Sequence, residues 1–346
     1  MDFQIHLLLI QDGITNGAIY ALLSLALVLV FAVTRVIFIP QGEFVAYGAL
    51  TLAAIQAGKT PPTAWFLVAL GVAAAAADIW QALRESRENR IPAILGVNVG
   101  LPLALAGILQ VAPLATLPLI AQILLTLLVV VPLGPMIYRL AYQPVAEASV
   151  LLLLIVSVAV HLALLGLGLF FFGAEGTRTP SFTDGSLSIG PATFQYQSLW
   201  IIGITVLLIV GLFAFFERTL YGKALRATAI NRTGAKLMGI STDMAGKLSF
   251  ALAALVGAFS GVLVSPVTTI YYDTGFLMGL KGFVGAIIGG LASYPIASLG
   301  AVMVGLLESY SSFWASAYKE VIVFTLIIPV LVWRSLTTHH VEEEEH

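Results

Sequence analysis

The residues of this chain that could do chemistry are few, and they sit in apolar surroundings. Asn16 and Tyr20 stand one helical turn apart. Gln41 and Glu43 lie together, with Tyr47 one turn beyond Glu43. Asp273, Lys281, Glu308 and Tyr310 come late. An ionisable group inside an apolar segment is costly, so it marks a functional site unless it reaches water at a helix end. For Glu43 and Asp273 both readings stand at this point. Lys281 and Glu308 are expected to pair across neighbouring helices, because an unpaired buried charge is the expensive case.

Catalytic constellations are missing. Ala53-Ala-Ile-Gln-Ala-Gly58-Lys59-Thr60 has the end of a phosphate-binding loop, but Ala stands where the first glycine belongs. His161 is alone in an apolar run and reads as a hydrogen-bonded core histidine rather than a ligand. His339, His340 and His346 fall in a polar acidic tail, residues 339–346. There is no H-E-x-x-H and no Ser/His/Asp set, so no metal or catalytic site is expected. Without cysteine the chain has no disulfide, thiolate zinc site or thiol nucleophile. A net charge of −2 gives no footprint for nucleic acid.

The elements that carry these residues must live in lipid. The chain is 59% hydrophobic and 10% charged, with a mean hydropathy of +1.00. Soluble domains are about 45–50% apolar and about 25% charged. Apolar runs of about 20 residues suit membrane-crossing helices. They read as Gly13–Thr34, Gly42–Ala57, Ala64–Leu83, Ile94–Val111, Ala115–Tyr138, Ser149–Gly173, Leu199–Phe216, Leu248–Val267, Phe276–Leu291, Ile296–Ala315 and Glu320–Trp333. Continuous runs rather than alternating tens favour helices over a barrel. The fold class is therefore an all-α polytopic transmembrane bundle of about nine to eleven helices, with residues 1–338 as a single domain. The N-terminus has no Lys or Arg before Arg35, so a cleavable signal peptide is not expected.

Loop charge sets the expected orientation. With the N-terminus outside and the C-terminus inside, twelve of the sixteen basic residues face the cytoplasm: Arg35, Arg84, Arg87, Arg90, Arg139, Arg218, Lys223, Arg226, Arg232, Lys236, Lys247 and Arg334. The basic segment 217–247 is then cytoplasmic and the Gly/Ser/Thr-rich segment 174–198 external. The mixed-charge stretch from Asp78 to Arg90 reads as a solvated helix end. Four Gly-x-x-x-Gly spacings, beginning at Gly13, Gly96, Gly257 and Gly285, are expected to be packing faces. Asn16, Tyr20, Gln41, Glu43, Tyr47, Lys281 and Glu308 are the expected polar groups of a translocation path. Its apolar walls would suit a solute with an apolar side chain and a polar or charged head.

Within segment 217–247, Gly222 to Gly239 has helical spacing, with a basic face, a small-apolar face and Gly239 as the C-terminal stop. Such a helix suits a groove on another protein, or alternatively an anionic lipid surface. This stretch, Tyr221-Gly-Lys-Ala-Leu-Arg-Ala-Thr-Ala-Ile-Asn-Arg-Thr-Gly-Ala-Lys-Leu-Met-Gly-Ile-Ser-Thr, closely resembles the coupling segment of the permeases of ABC importers for branched-chain amino acids. The similarity is to the H-type member of the permease pair. Asn16-Gly-Ala-Ile-Tyr-Ala-Leu resembles the family's first-helix signature. Arg35-Val-Ile-Phe-Ile-Pro-Gln-Gly-Glu-Phe resembles a stretch that usually ends in Ala-His-Gly-Glu, with Pro40-Gln41 in place of Ala-His. Phe283-Val-Gly-Ala-Ile-Ile-Gly-Gly-Leu-Ala-Ser-Tyr-Pro resembles the late glycine-rich signature. Residues 78–132 look longer than the family pattern.

The resemblance implies a permease of the inner membrane without catalytic chemistry or bound cofactor, ATP and magnesium residing on partner subunits. It implies ATPase subunits at the cytoplasmic loop, contacting Leu225, Arg226, Ala229, Asn231, Arg232, Ala235, Met238 and Gly239. It also implies a second permease subunit and a periplasmic binding protein that delivers leucine, isoleucine, valine or a related small amino acid. A urea or short-amide permease, a stand-alone channel or a secondary carrier are the alternatives. A membrane-embedded enzyme is disfavoured by the missing catalytic set.

Overall fold

The structure is a computed structural model that describes residues 3–189 and 192–337. The acidic tail lies outside the described residues. The chain forms α1 (Phe3–Thr34), α2 (Gln41–Gln56), α3 (Pro62–Arg84), an interrupted α4 (Glu88–Val111), an interrupted α5 (Leu119–Val145) and α6 (Val150–Phe172). A short antiparallel hairpin, β1 (Ser186–Ile189) with β2 (Ala192–Gln195), follows. Then come α7 (Tyr196–Arg218), α8 (Leu220–Ile230), α9 (Arg232–Leu237), α10 (Thr242–Val264), α11 (Thr274–Ile288), α12 (Tyr294–Trp314) and α13 (Ser316–Trp333).

Among the described residues nine helices are long and apolar enough to cross a membrane. The two shorter ones, α2 and α11, have 16 and 15 residues. At about 1.5 Å per residue each reaches about 24 Å or less, short of the ~30 Å hydrocarbon core. The eleven apolar runs are therefore all helical, and two of them are half-helices. Polar caps set several starts. Ser149 Oγ accepts from Leu152 N, Thr219 Oγ1 from Gly222 N and Ser241 Oγ from Met244 N. Gly173, at φ 76°, ends α6.

α1 runs antiparallel to α12. Gly13 meets the backbone of Leu306, Gly17 that of Val302, and Ser24 Oγ donates to Ala297 O. Near its start, Leu9 O accepts from Ser309 Oγ; near its end, Leu29 and Val33 pack on Leu225 and Ala245. The N-terminus and segment 217–247 are thus at opposite ends of the bundle.

Lipid tails are as apolar as leucine, so close backbone approach has to hold such helices together. Three of the Gly-x-x-x-Gly pairs do this. Gly13/Gly17 and Gly285/Gly289 face α12, and Gly257/Gly261 face α2. The fourth is corrected: no atom stands within 4 Å of a Cβ placed on Gly96, and the Gly100 position meets only Leu95 O at 3.7 Å. Gly96–Gly100 forms a π-helical turn instead. The centre is aromatic, with Phe38, Tyr138, Tyr142 and Phe250 in ring contact; Phe38 and Phe250 have centroids 4.6 Å apart.

Candidate functional site

The polar groups converge because two helices are broken inside the bundle. α1 ends at Thr34, Arg35 turns the chain at φ 61°, and residues 36–40 return inward without helical bonds. The new helix α2 starts at Gln41, whose Nε2 donates to Ala253 O, halfway along α10. α2 then runs with the C-terminal half of α10: Gly48 lies on Ala258, and Gly261 lies on Val45. On the other side, the chain leaves α10 at Val264 and stays irregular through Asp273. There Ile270 bridges Thr177, Ser265 bonds Thr179 and Pro266 O accepts from Arg178. α11 starts at Thr274 and runs the opposite way, towards Ala301 and Ala297 at the first half of α12.

The two half-helices meet at their N-termini. A Cβ on Gly42 would stand 2.0 Å from Gly275 O, and one on Gly275 would stand 2.1 Å from Gly42 O. Only glycine permits this crossing. Both helices aim the positive ends of their dipoles at the junction. Each carries an acid there: Glu43 in the first turn of α2, and Asp273 at the N-cap of α11.

Glu43 is fully buried, so the snorkelling reading is overturned for it, while Asp273 is exposed. Glu43 Oε1 lies 2.8 Å from His161 Nδ1, and the His161 ring stacks on Phe276 of α11 at 4.4 Å. One histidine therefore ties α6 to both half-helices. Tyr47, a turn further along α2, donates to Leu164 O at 2.8 Å. Gln41 Oε1 and Glu43 Oε2 are buried with no hydrogen-bond partner among the described residues. Oxygens of this kind are rare in folded chains and call for a reason.

A second cluster joins α1, α11, α12 and α13. Lys281 Nζ bonds Glu308 Oε1 at 2.5 Å and Glu320 Oε1 at 3.1 Å, and Tyr20 OH donates to Glu308 Oε2 at 2.6 Å. Lys281 and Glu308 are buried. The expected pair forms, and Glu320 extends it into a triad.

At the end of the bundle carrying segment 217–247, the expected single helix is two. It breaks at Asn231, because the Asn231 side chain leaves the helical path and accepts from Gly234 N at 2.7 Å to cap α9. Gly239, at φ 80°, ends the arm as the spacing predicts. Arg226 pairs with Glu217 at 2.8 Å, Arg232 donates to Ala146 O at 3.0 Å and Lys236 to Glu147 at 3.0 Å. The arm is thereby strapped to the α5–α6 connection. Hydrogen bonding and charge from Lys236, with Arg232 nearby, hold the Glu147 carboxyl below its ordinary range. Leu220, Ile230, Leu237 and Met238 remain largely exposed, each by 79% or more.

The model of a family described as the permease component of the branched-chain amino acid transport system matches residues 95–331. The chain belongs to this family. Among its relatives is LivH of Escherichia coli (strain K12), named a high-affinity branched-chain amino acid transport system permease protein. It is 26% identical over 330 residues, covering 93% of this chain and 91% of that protein. LivH of Salmonella typhimurium is 31% identical over 208 residues, 58% of this chain and 67% of that one. BraD of Pseudomonas aeruginosa, with the same descriptive name, is 28% identical over 225 residues, 63% and 73% of the two chains. No solved structure matches the chain.

The permease places the sequence-derived residues unevenly. Gln41, Glu43 and Tyr47 gather at the half-helix junction, and Tyr20, Lys281 and Glu308 in the triad. Asn16 is half-buried on α1 and joins neither, and Tyr310 OH lies 3.3 Å from His6 Nδ1, away from both clusters. In the arm, Arg226, Asn231, Met238 and Gly239 are exposed and Ala229 and Arg232 half-buried, whereas Leu225 and Ala235 are buried against the permease itself. Sequence reasoning missed His161 as the partner of Glu43 and Glu320 in the triad, and it put Ile230 and Leu237 on the apolar face of the arm without counting them among the contacting residues. Helical spacing was the signal for the last two, since both lie off the face that Leu225 and Ala235 bury.

Proposed function

We propose that this chain is one membrane-spanning permease subunit, folded as a single domain, of an ATP-driven importer of branched-chain amino acids. The observation that carries this reading is the junction of α2 and α11 inside the bundle, in a chain whose family is a transport permease. Irregular backbone at membrane depth is tolerated where it is enclosed in protein or lines a solute path. Half-helix N-termini favour a carboxylate, and Glu43 with Asp273 favours an ammonium, so the junction suits the two charges of an amino acid. Gln41, Glu43 and Tyr47 are the inner polar groups of this path, with exposed Asp273 at its edge. The surrounding wall is apolar and aromatic, which suits a branched aliphatic side chain. Lys281, Glu308 and Tyr20 brace the α11–α12 wall.

In this reading energy arrives from ATPase subunits that dock on the α8–α9 arm. Its outward face, Arg226, Ile230, Asn231, Leu237, Met238 and Gly239, contacts them. Leu225 and Ala235 anchor the arm to the bundle, with Ala229 and Arg232 at the seam. A difference in ATPase affinity between two permease conformations is what can shift one to the other. The partners are a second permease subunit, ATPase subunits carrying ATP and magnesium, and a periplasmic binding protein. The location is the inner membrane, with the arm and C-terminus in the cytoplasm.

The test is uptake of labelled leucine by proteoliposomes holding the assembled importer, with and without ATP and with urea as a second solute. ATP-dependent leucine uptake supports the proposal. Uptake of urea alone, or leucine uptake that ignores ATP, refutes it.

A further inference from the structure

One groove of the molecule takes no part in the half-helix junction, the triad or the arm. It lies between α3, α4 and α5, touches the start of α10, and encloses about 610 Å³. Most of its wall is apolar, including Leu67, Ala74, Leu101, Leu105, Leu128 and Met136. Polar groups occur as Asp78, Asn98, Arg139 and Lys247. Asp78 is already satisfied: it pairs with Arg139 and accepts from Asn98 Nδ2 at 3.2 Å. Arg139 also reaches Gln81 Oε1 at 2.7 Å. Lys247 is half-buried on α10 and has no ion-pair or hydrogen-bond partner among the described residues. The polar region therefore carries one neutralised pair and one unneutralised cation.

Its depth is set by the helices. Lys247 is on the second turn of α10, directly after segment 217–247, and Asp78 is two turns from the end of α3 at the same side. From Asp78 back to Leu67 the wall runs about 16 Å at 1.5 Å per residue, half of the ~30 Å hydrocarbon core. That is the length of one leaflet. Trp80 beside it is 60% exposed, with the Arg84 guanidinium 3.8 Å over its ring, a pairing that belongs at the headgroup level. The outer wall is thin. Gly71 brings α3 onto Asn98 of α4, but Gly96 and Gly107 meet nothing within 4 Å and Leu101 is 64% exposed.

We infer that this groove seats an anionic phospholipid of the cytoplasmic leaflet, one acyl chain between α3, α4 and α5 and the phosphate at Lys247 beside the Arg139–Asp78 pair. Charge selects the head and length selects the leaflet. A zwitterionic lipid brings its own cation beside the phosphate, so the net positive charge at Lys247 stays, and a soluble anion would leave the apolar wall uncovered.

The experiment is native mass spectrometry of the full chain released from nanodiscs of equimolar phosphatidylglycerol and phosphatidylcholine. The expected result is retained phosphatidylglycerol in preference to phosphatidylcholine. Lys247→Gln should cut that preference roughly fivefold, the worth of one basic residue near an anionic surface. Leu105→Trp should fill the groove and lower retention of both lipids, with thermal unfolding showing that the variant is folded. Should that variant fail to fold, Lys247→Gln alone decides. Equal retention of the two lipids, or a preference unchanged by Lys247→Gln, overturns the proposal. So does loss of the preference on adding inorganic phosphate, which would mean a free-anion site. A cross-link from position 105 to a second permease subunit would assign the groove to protein and overturn it too.

Discussion

Lys281 is the residue whose removal should cost most. It compensates Glu308, whose buried carboxylate cannot keep its water, and the half-buried Glu320 beside it. Lys281→Met should destabilise the permease by about 3–5 kcal/mol, the usual cost of stranding a buried partner. Adding Glu308→Gln should recover part of that loss. Thermal unfolding in detergent measures both, and equal stability of Lys281→Met and the parent chain would contradict the burial argument. Glu43 poses a different question, because its partner His161 is also braced by Phe276. Glu43→Gln keeps a hydrogen-bonding side chain at the junction and removes the charge, so we expect a folded permease with leucine uptake lowered at least about tenfold. A tenfold loss is about 1.4 kcal/mol of transport barrier. The sequence made the Lys281–Glu308 pairing legible through cost alone. It left His161 solitary, because 118 positions separate it from Glu43 and no periodicity links two different helices.

At the scale of elements, the crossing of α2 and α11 depends on two hydrogen atoms in place of side chains. Gly42→Ala puts a methyl 2.0 Å from a carbonyl oxygen that belongs to backbone and cannot rotate away. We expect it to abolish folding or uptake, whereas Gly96→Ala, facing open space, should be silent. Expression and uptake measured side by side make the comparison. The arm is held more lightly. Its strap to Glu147 is a surface pair, of the kind worth little on its own. Because the folded state lowers the Glu147 carboxyl, the contact contributes above the ordinary carboxylate range and is lost as pH falls through the lowered value. The protection factors of the α9 amides, taken against the intrinsic exchange rate at each pH, should therefore fall on acidification, and Glu147→Gln should remove that pH dependence. The capped break at Asn231 escaped the sequence reading, since a helical spacing continues through it and only the side chain's turn back to Gly234 stops the helix.

For the whole molecule the consequence is transmission. α8 packs through Leu225 on the end of α1, and the extended return after α1 leads into α2, so the arm and the half-helix junction share one continuous support. In the proposed importer, Ile230→Asp with Leu237→Asp should leave folding intact, since both side chains are exposed, and should release the ATPase subunits. Co-purification of the ATPase and leucine uptake are the readouts, and survival of both would remove the arm from the docking surface.

The sequence by itself determined that this chain dissolves in lipid, that its apolar runs are helices and that one basic segment lies at a bundle end. Each follows from local quantities: run length, charge and spacing. It also showed which charges were too costly to stand alone. Only the tertiary structure decided that α2 and α11 stop halfway and meet head to head, that His161 answers Glu43, and that Leu225 and Ala235 anchor the arm while Ile230 and Leu237 face out. Apolar patterning inside a bilayer does not distinguish a helix-facing side from a lipid-facing one, because both neighbours are apolar. Which face meets protein is set by backbone fit between helices far apart in sequence, and that fit exists only once the bundle is assembled.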